Sequence, residues 1–115
     1  MKKTIITAAG FVFLIIACSK SSTNTTATVD CSGAAKSFVA DVSPVIQTSC
    51  AVNAGCHAAG STHGPGELIT YSEVFNARSN IRSSVASGIM PQGSSLSAVL
   101  RNVILCWIDN GAANN

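Results

Sequence analysis

The stretch Ser49-Cys50-Ala51-Val52-Asn53-Ala54-Gly55-Cys56-His57 sets two thiols ahead of an imidazole. Two thiols can each add across a vinyl group. An imidazole directly after the second thiol then reaches a metal at the centre of the same ring system, from the same side. That residue order is what covalent haem attachment needs. The usual spacing leaves two residues between the cysteines; here there are five. A further candidate ligand lies downstream in Gly88-Ile89-Met90-Pro91-Gln92-Gly93. Met90 is the only methionine left once Met1 is removed with a leader. A thioether is a soft iron ligand, and His/Met ligation suits electron transfer. A loop bounded by Gly and Pro can carry Met90 over the face opposite His57. The competing use of such a methionine is to fill a gap in the core.

Two other chemistries use the same residues. Cys50, Cys56, His57 and His63 form a Cys2His2 set of the kind that holds structural zinc, although adjacent Cys56 and His57 sit awkwardly on one tetrahedral ion. Alternatively Cys50 and Cys56 close as a disulfide in a metal-free lipoprotein with a structural or binding role. An enzyme such as a peroxidase needs an open iron position with acid and base groups nearby. Outside the ligand set only His63 is available, in a Gly/Pro-rich loop, so no enzymatic activity and no catalytic residue is expected. Phosphate-cradling loops, catalytic triads and dinucleotide fingerprints are absent from the sequence.

The N-terminus reads as an address. Lys2 and Lys3 precede an apolar run from Ile5 to Ala17, too short to span a bilayer comfortably. It ends in Ile15-Ile16-Ala17-Cys18, which resembles a bacterial lipoprotein signal. That resemblance implies a signal peptide over 1–17, cleavage before Cys18 and lipidation of that cysteine. Two acyl chains then anchor the protein to a membrane of the cell envelope, on the periplasmic side or at the outer membrane. Residues 18–29 form a polar, flexible tether with little to bury. Residues 30–115 form one small domain, of a size that usually needs a staple, a metal or a cofactor.

The formal net charge of +2 comes from Lys2 and Lys3. In the remainder Lys20, Lys36, Arg78, Arg82 and Arg101 balance Asp30, Asp41, Glu67, Glu73 and Asp109. A neutral chain has no electrostatic claim on nucleic acid. With Cys18, Cys50 and Cys56 assigned, Cys31 and Cys106 remain, one near each end of the domain. Export favours disulfides. A Cys31–Cys106 bond closes about 75 residues and contributes roughly 4 kcal/mol on chain-entropy accounting. The alternative is two free buried thiols.

The elements that must position these groups are helical. Ser37 to Val42 is weakly helical. Ser43-Pro44 reads as a cap with proline at the first helical position, opening a short helix that delivers the chain to Cys50. A Gly- and Ala-rich loop follows from Ala51 to Gly66. Thr70 and Glu73 fit a capping box opening a helix through Val74 and Phe75. A further helix around Ile81 to Ser87 stops at Gly88. In the last helix Ser97 is the cap, Gly111 the stop, and Val99, Leu100, Val103, Ile104, Trp107 and Ile108 recur at helical spacing. No segment alternates as a strand does, so the class is all-α.

Taken together these features resemble a small monohaem cytochrome c domain of the kind carried by Bacteroidetes-type lipoproteins. The resemblance covers about Phe38 to Asn115. It rests on Asp41-Val42-Ser43-Pro44-Val45-Ile46, on Gly55-Cys56-His57, on Gly88-Ile89-Met90-Pro91, and on Leu96-Ser97 followed by Cys106-Trp107-Ile108-Asp109-Asn110-Gly111-Ala112. It implies one covalent haem c, wrapped by the helices and thioether-linked to Cys50 and Cys56. His57 is then the proximal and Met90 the distal iron ligand, and the C-terminal helix packs across the N-terminal one beside the haem edge. Redox proteins of the envelope are the partners it implies, and a monomer is expected. The five-residue gap departs from the family's pattern and requires a bulged loop. Arg78, Arg82, Arg101 and Tyr71 are candidate propionate contacts, with solvated or half-buried packing positions as the alternative.

Overall fold

The structure, a computed structural model, describes residues 28–115. The expected signal peptide, Cys18 and most of the tether lie outside the described residues. Every regular element among those described is helical. The all-α expectation is met at that level. No helix among them is long and apolar enough to cross a membrane.

A wide π-helical turn, Phe38–Val42, runs straight into helix α1, Ser43–Ser49. Ser43 was expected to cap α1; instead it has helical dihedrals (φ −55°, ψ −45°), and the capping residue is Ser37. The Ser37 hydroxyl accepts from the Ala40 amide (3.2 Å), and the Asp41 carboxylate accepts from the Ser37 amide (2.8 Å). Pro44 explains the wide turn. It has no N–H, and its ring crowds the carbonyl four residues back. Widening the preceding turn, with the Ser43 amide donating to the Phe38 carbonyl, lets the chain stay helical through the proline.

Helix α2 is Tyr71–Ala86. The capping box is present: the Thr70 hydroxyl accepts from the Glu73 amide, and the Glu73 carboxylate accepts from the Thr70 and Ile69 amides (2.8 and 2.9 Å). These two bonds hold the Glu73 carboxyl below the usual carboxylate range. The two helices expected between Thr70 and Ser87 are one. Asn76-Ala77-Arg78-Ser79-Asn80 contains neither Gly nor Pro, and Val74, Ala77, Ile81 and Val85 bury a continuous stripe at helical spacing. The helix stops where expected, at Gly88, whose φ of +75° suits a residue without a Cβ.

Helix α3, Ala98–Asp109, is capped by the Ser97 hydroxyl, which accepts from the Leu100 amide (3.2 Å). It ends in a Schellman turn. The Ala112 amide donates to the Trp107 carbonyl (2.8 Å) and the Gly111 amide to the Ile108 carbonyl (3.1 Å), with Gly111 at φ +103°. The apolar stripe is not buried along its whole length. Val99 is 73% exposed, whereas Ile104, Leu105, Cys106 and Trp107 are buried. Burial is confined to the turns where α3 meets the first helical segment and α2.

An aromatic cluster ties these segments together. The Phe38 ring lies edge-on to Tyr71 (5.2 Å between centroids) and 5.5 Å from Trp107. The buried Trp107 donates its indole N–H to the Ala113 carbonyl (2.9 Å). Tyr71 donates its hydroxyl to the Ala112 carbonyl (3.0 Å), so this phenol is a structural strut between α2 and the turn after α3. Asn115 closes the assembly: its carbonyl accepts from the Val39 amide and the Ser37 hydroxyl. Cys31 and Cys106 are disulfide-bonded, with Cα atoms 5.4 Å apart, which fastens the segment before the first helix onto α3.

Candidate functional site

Helix α1 ends at Ser49 and hands the chain to Cys50, whose amide still donates to the Ile46 carbonyl (2.8 Å). The chain then leaves the helix and returns. The His57 amide donates to the Cys50 carbonyl (3.1 Å). In a sequence with two residues between the cysteines, this would be an ordinary helical bond across four residues. Here the extra residues are looped out, with Val52, Asn53, Ala54 and Gly55 all exposed. Asn53 pins the excursion: its carbonyl accepts from the Cys56 and Ala58 amides (3.0 Å each), and its side-chain oxygen accepts from the Cys56 amide (3.1 Å). The bulged loop that the long spacing required is therefore present, and it restores the short-spacing relation of Cys50 to His57.

Both cysteines are free thiols, each partly buried. Burial, with a smaller contribution from Cys56, pushes the Cys50 thiol up to about 11. Cys50 thus stays protonated at neutral pH, and the thiolate needed for uncontrolled oxidation is scarce.

His57 is 7% exposed. Its Nδ1 lies 2.8 Å from the Gly66 carbonyl. A carbonyl can only accept, so the proton sits on Nδ1 and the Nε2 lone pair is the ring's free donor to a metal. The loop that carries Gly66 is itself fixed. The Leu68 amide donates to the His57 carbonyl (2.8 Å), the Gly60 amide to a Glu67 carboxylate oxygen (2.7 Å), and the buried Ser61 hydroxyl to the Cys56 carbonyl.

Two adjoining cavities, of about 350 and 480 Å3, share Cys50, His57, Gly64 and Met90 in their walls. Cys56 and His63 line the larger one, beside Val52 and Leu96. The smaller is floored by Leu68, Ile81 and Val85, with Asn80, Ser83 and Ser84 of α2 along one side. Met90 is held by its amide, which donates to the Ser84 carbonyl (3.2 Å). The fold therefore brings all four expected cofactor contacts, Cys50, Cys56, His57 and Met90, to one cleft with an apolar floor. The volume is that of a cofactor site. The donor set is two thiols for covalent attachment, one imidazole with a preset tautomer, and one thioether. These are the donor types that a covalently attached haem would take from the chain. Among the described residues no three His, Cys, Asp or Glu side chains gather as a metal-binding group.

Several side chains are committed elsewhere. Arg82 grips Asp109 with two hydrogen bonds (2.6 and 2.9 Å). Arg78 lies over the Phe75 ring (3.9 Å) and donates to the Phe75 carbonyl (2.7 Å). With Tyr71 bonded to Ala112, none of these three needs a propionate for a partner. Neither the Gly66 carbonyl nor Ser61 was legible beforehand, because a backbone acceptor and a hydroxyl inside a Gly/Ala-rich loop carry no periodic signal.

No family model, curated protein or solved structure matches the chain. The functional reading rests on the cleft.

Proposed function

We propose that this chain is a lipid-anchored electron carrier of the cell envelope, holding one covalent haem c in the cleft between α1, the loop after it and α2. The observation that carries the reading is the His57–Gly66 contact. It makes Nδ1 of a buried imidazole the donor and leaves Nε2 as the nitrogen for a metal, in a cleft shared with Met90 and two unpaired thiols. Cys50 and Cys56 would form the thioether links, and His57 Nε2 and the Met90 sulfur would be the axial ligands. A haem supplies one-electron cycling of its iron. The protein's own task is to fix the imidazole through Gly66, to hold Met90 through Ser84, and to keep water off the apolar floor made by Leu68, Ile81 and Val85. Were His57 and Met90 both bound to the iron, no position would be left there for a substrate, which favours a carrier over an enzyme. Structural zinc is less well supported, since it requires four donors around one point and no such cluster is present among the described residues. The Cys31–Cys106 bond supports an oxidising compartment.

The test is expression alongside c-type maturation machinery, followed by acid-acetone extraction and an alkaline pyridine haemochrome spectrum. One haem per chain that resists extraction is expected; none retained overturns the reading. Lipidation at Cys18 is part of the same proposal. Cys18→Ala should release the protein from the membrane fraction, and retention there places the anchor elsewhere.

A further inference from the structure

Residues 28–36 lie beside α3 without joining any helix. No backbone hydrogen bond ties them to the rest of the described chain; the Ser32 amide donates within the segment, to the Asp30 carboxylate (3.0 Å). What holds them is the Cys31–Cys106 bond, from an exposed cysteine to a buried one on α3. Between this segment and α3 runs a groove of about 200 Å3. Val99, Asn102, Val103 and Cys106 form its α3 wall as one stripe of the helix. The groove shares no lining residue with the two cavities of the cleft. Val99 is the most exposed large hydrophobic side chain among those described, and Val29, at the start of the segment, is exposed too.

Exposed apolar side chains also stand at the cleft, where Val52 lines the larger cavity and Ile89 precedes Met90. The position of the tether separates the two surfaces. Cys18, the lipid site of the anchor reading, lies thirteen residues before Cys31. A polar chain of that length has an r.m.s. span of about 20 Å, less than the roughly 30 Å width of a domain of this size. The bond to Cys106 therefore keeps the groove beside the bilayer, and any other face reaches lipid only by wrapping the tether round the domain. A contact made by one valine and its neighbours is too weak to hold a free domain. A tether this short raises the local concentration to about the millimolar range, where weak contacts are populated. Lys36 and Asp30 both line the groove, so their charges offset and the contact is apolar rather than electrostatic. We propose that the α3 stripe beside the Cys31–Cys106 bond is the face this domain lays against the bilayer that holds its lipid. The cleft, lined by other residues, stays off the lipid. This rests on the lipid-anchor reading. It gives the disulfide a second role, fixing the face from which the anchor leaves the domain.

The test uses the full chain, purified from membranes with its lipid, kept reduced, and placed in nanodiscs whose lipids carry a nitroxide on the headgroup. Mass spectrometry first reads the lipid on Cys18. Its absence counts against the anchor reading and takes this proposal with it. Broadening of the valine methyl NMR signals is then measured against nanodiscs without nitroxide. Val99 should broaden about threefold more strongly than Val52, and about 1 M salt should leave that ratio unchanged. Val99→Asp should cut the broadening at Val103 about threefold, because a carboxylate resists entering the lipid interface. Inserting about twelve Gly and Ser residues after Thr28 leaves the domain untouched and should cut the broadening at Val99 by about two- to threefold, as effective concentration falls with tether length. Lipidated protein whose Val52 broadens as much as Val99, or whose broadening is abolished by salt, or is unchanged by both Val99→Asp and the longer tether, overturns this proposal and leaves the anchor reading standing.

Discussion

The His57 amide and the Cys50 carbonyl are hydrogen-bonded at 3.1 Å, although a five-residue excursion separates the two cysteines. The bond makes the loop an insertion into a helical turn rather than a different kind of site. The chain meets the geometric demand of a short motif with a long one, and Asn53 keeps the surplus residues in register.

Deleting Val52–Ala54 therefore leaves Ala51-Gly55 between the cysteines and should preserve the bond. Covalent haem, scored by haem-stained denaturing gels and pyridine haemochrome, should match wild type. Cys50→Ser should leave attachment through one thioether, and Cys56→Ser should do at least as much damage. Loss of haem in the deletion variant alone would show that the excursion itself is recognised during attachment.

Met90→Ala should abolish the weak red charge-transfer absorption that sulfur bound to oxidised iron gives. It should also open a position to added ligand and lower the reduction potential, since a thioether favours the reduced state. His63 lines the same cleft but is exposed, and His63→Ala should leave all three unchanged. The reverse pattern, a silent Met90 variant and a perturbed His63 variant, assigns the second axial position to His63 and returns Met90 to packing.

Removing the disulfide with Cys31→Ser and Cys106→Ser together should cost about 4 kcal/mol, given the 75-residue separation. In a domain of this size that lowers Tm by roughly 15–30 °C, compared in the same haem state. Thermal unfolding followed by circular dichroism measures it. A drop below about 5 °C would mean that the unfolded chain is already held compact by other contacts.

The Arg82–Asp109 pair predicts an acid dependence. Hydrogen bonding to Arg82 holds the Asp109 carboxyl below its ordinary value. Its contribution is fully present above the unfolded-state pKa and is lost as pH falls through the folded-state value. Arg82→Ala should be slightly less stable than wild type at neutral pH, by the small amount typical of an exposed pair. The difference should disappear once the pH has fallen below the lowered folded-state value of Asp109. Urea titrations across pH 2–7 test the sign; a difference that grows on acidification contradicts it.

Much of this protein is decided locally, and the sequence alone determines those parts. The Thr70–Glu73 box, the Ser97 cap and the stops at Gly88 and Gly111 are set within a few residues, because each satisfies backbone groups beside it. The candidate ligands were legible for the same reason: Cys56-His57 and a Gly/Pro-bounded Met90 are chemical types in characteristic places. Other features depended on atoms far apart in the chain. Ser37, which caps the first helix in place of Ser43, is also held by the Asn115 carbonyl at the far end of the chain. One helix instead of two after Thr70 followed from a buried stripe whose value exists only once α3 covers it. The Cys31–Cys106 pairing expected from the cysteines left over is present, and Met90 and His57 line the same cleft; the tertiary structure alone bonded Tyr71 to Ala112 instead of leaving it for a propionate. It also chose the Gly66 carbonyl to set the imidazole's tautomer. That choice leaves no mark in the sequence, since every residue but its place in space is equally able to offer a carbonyl.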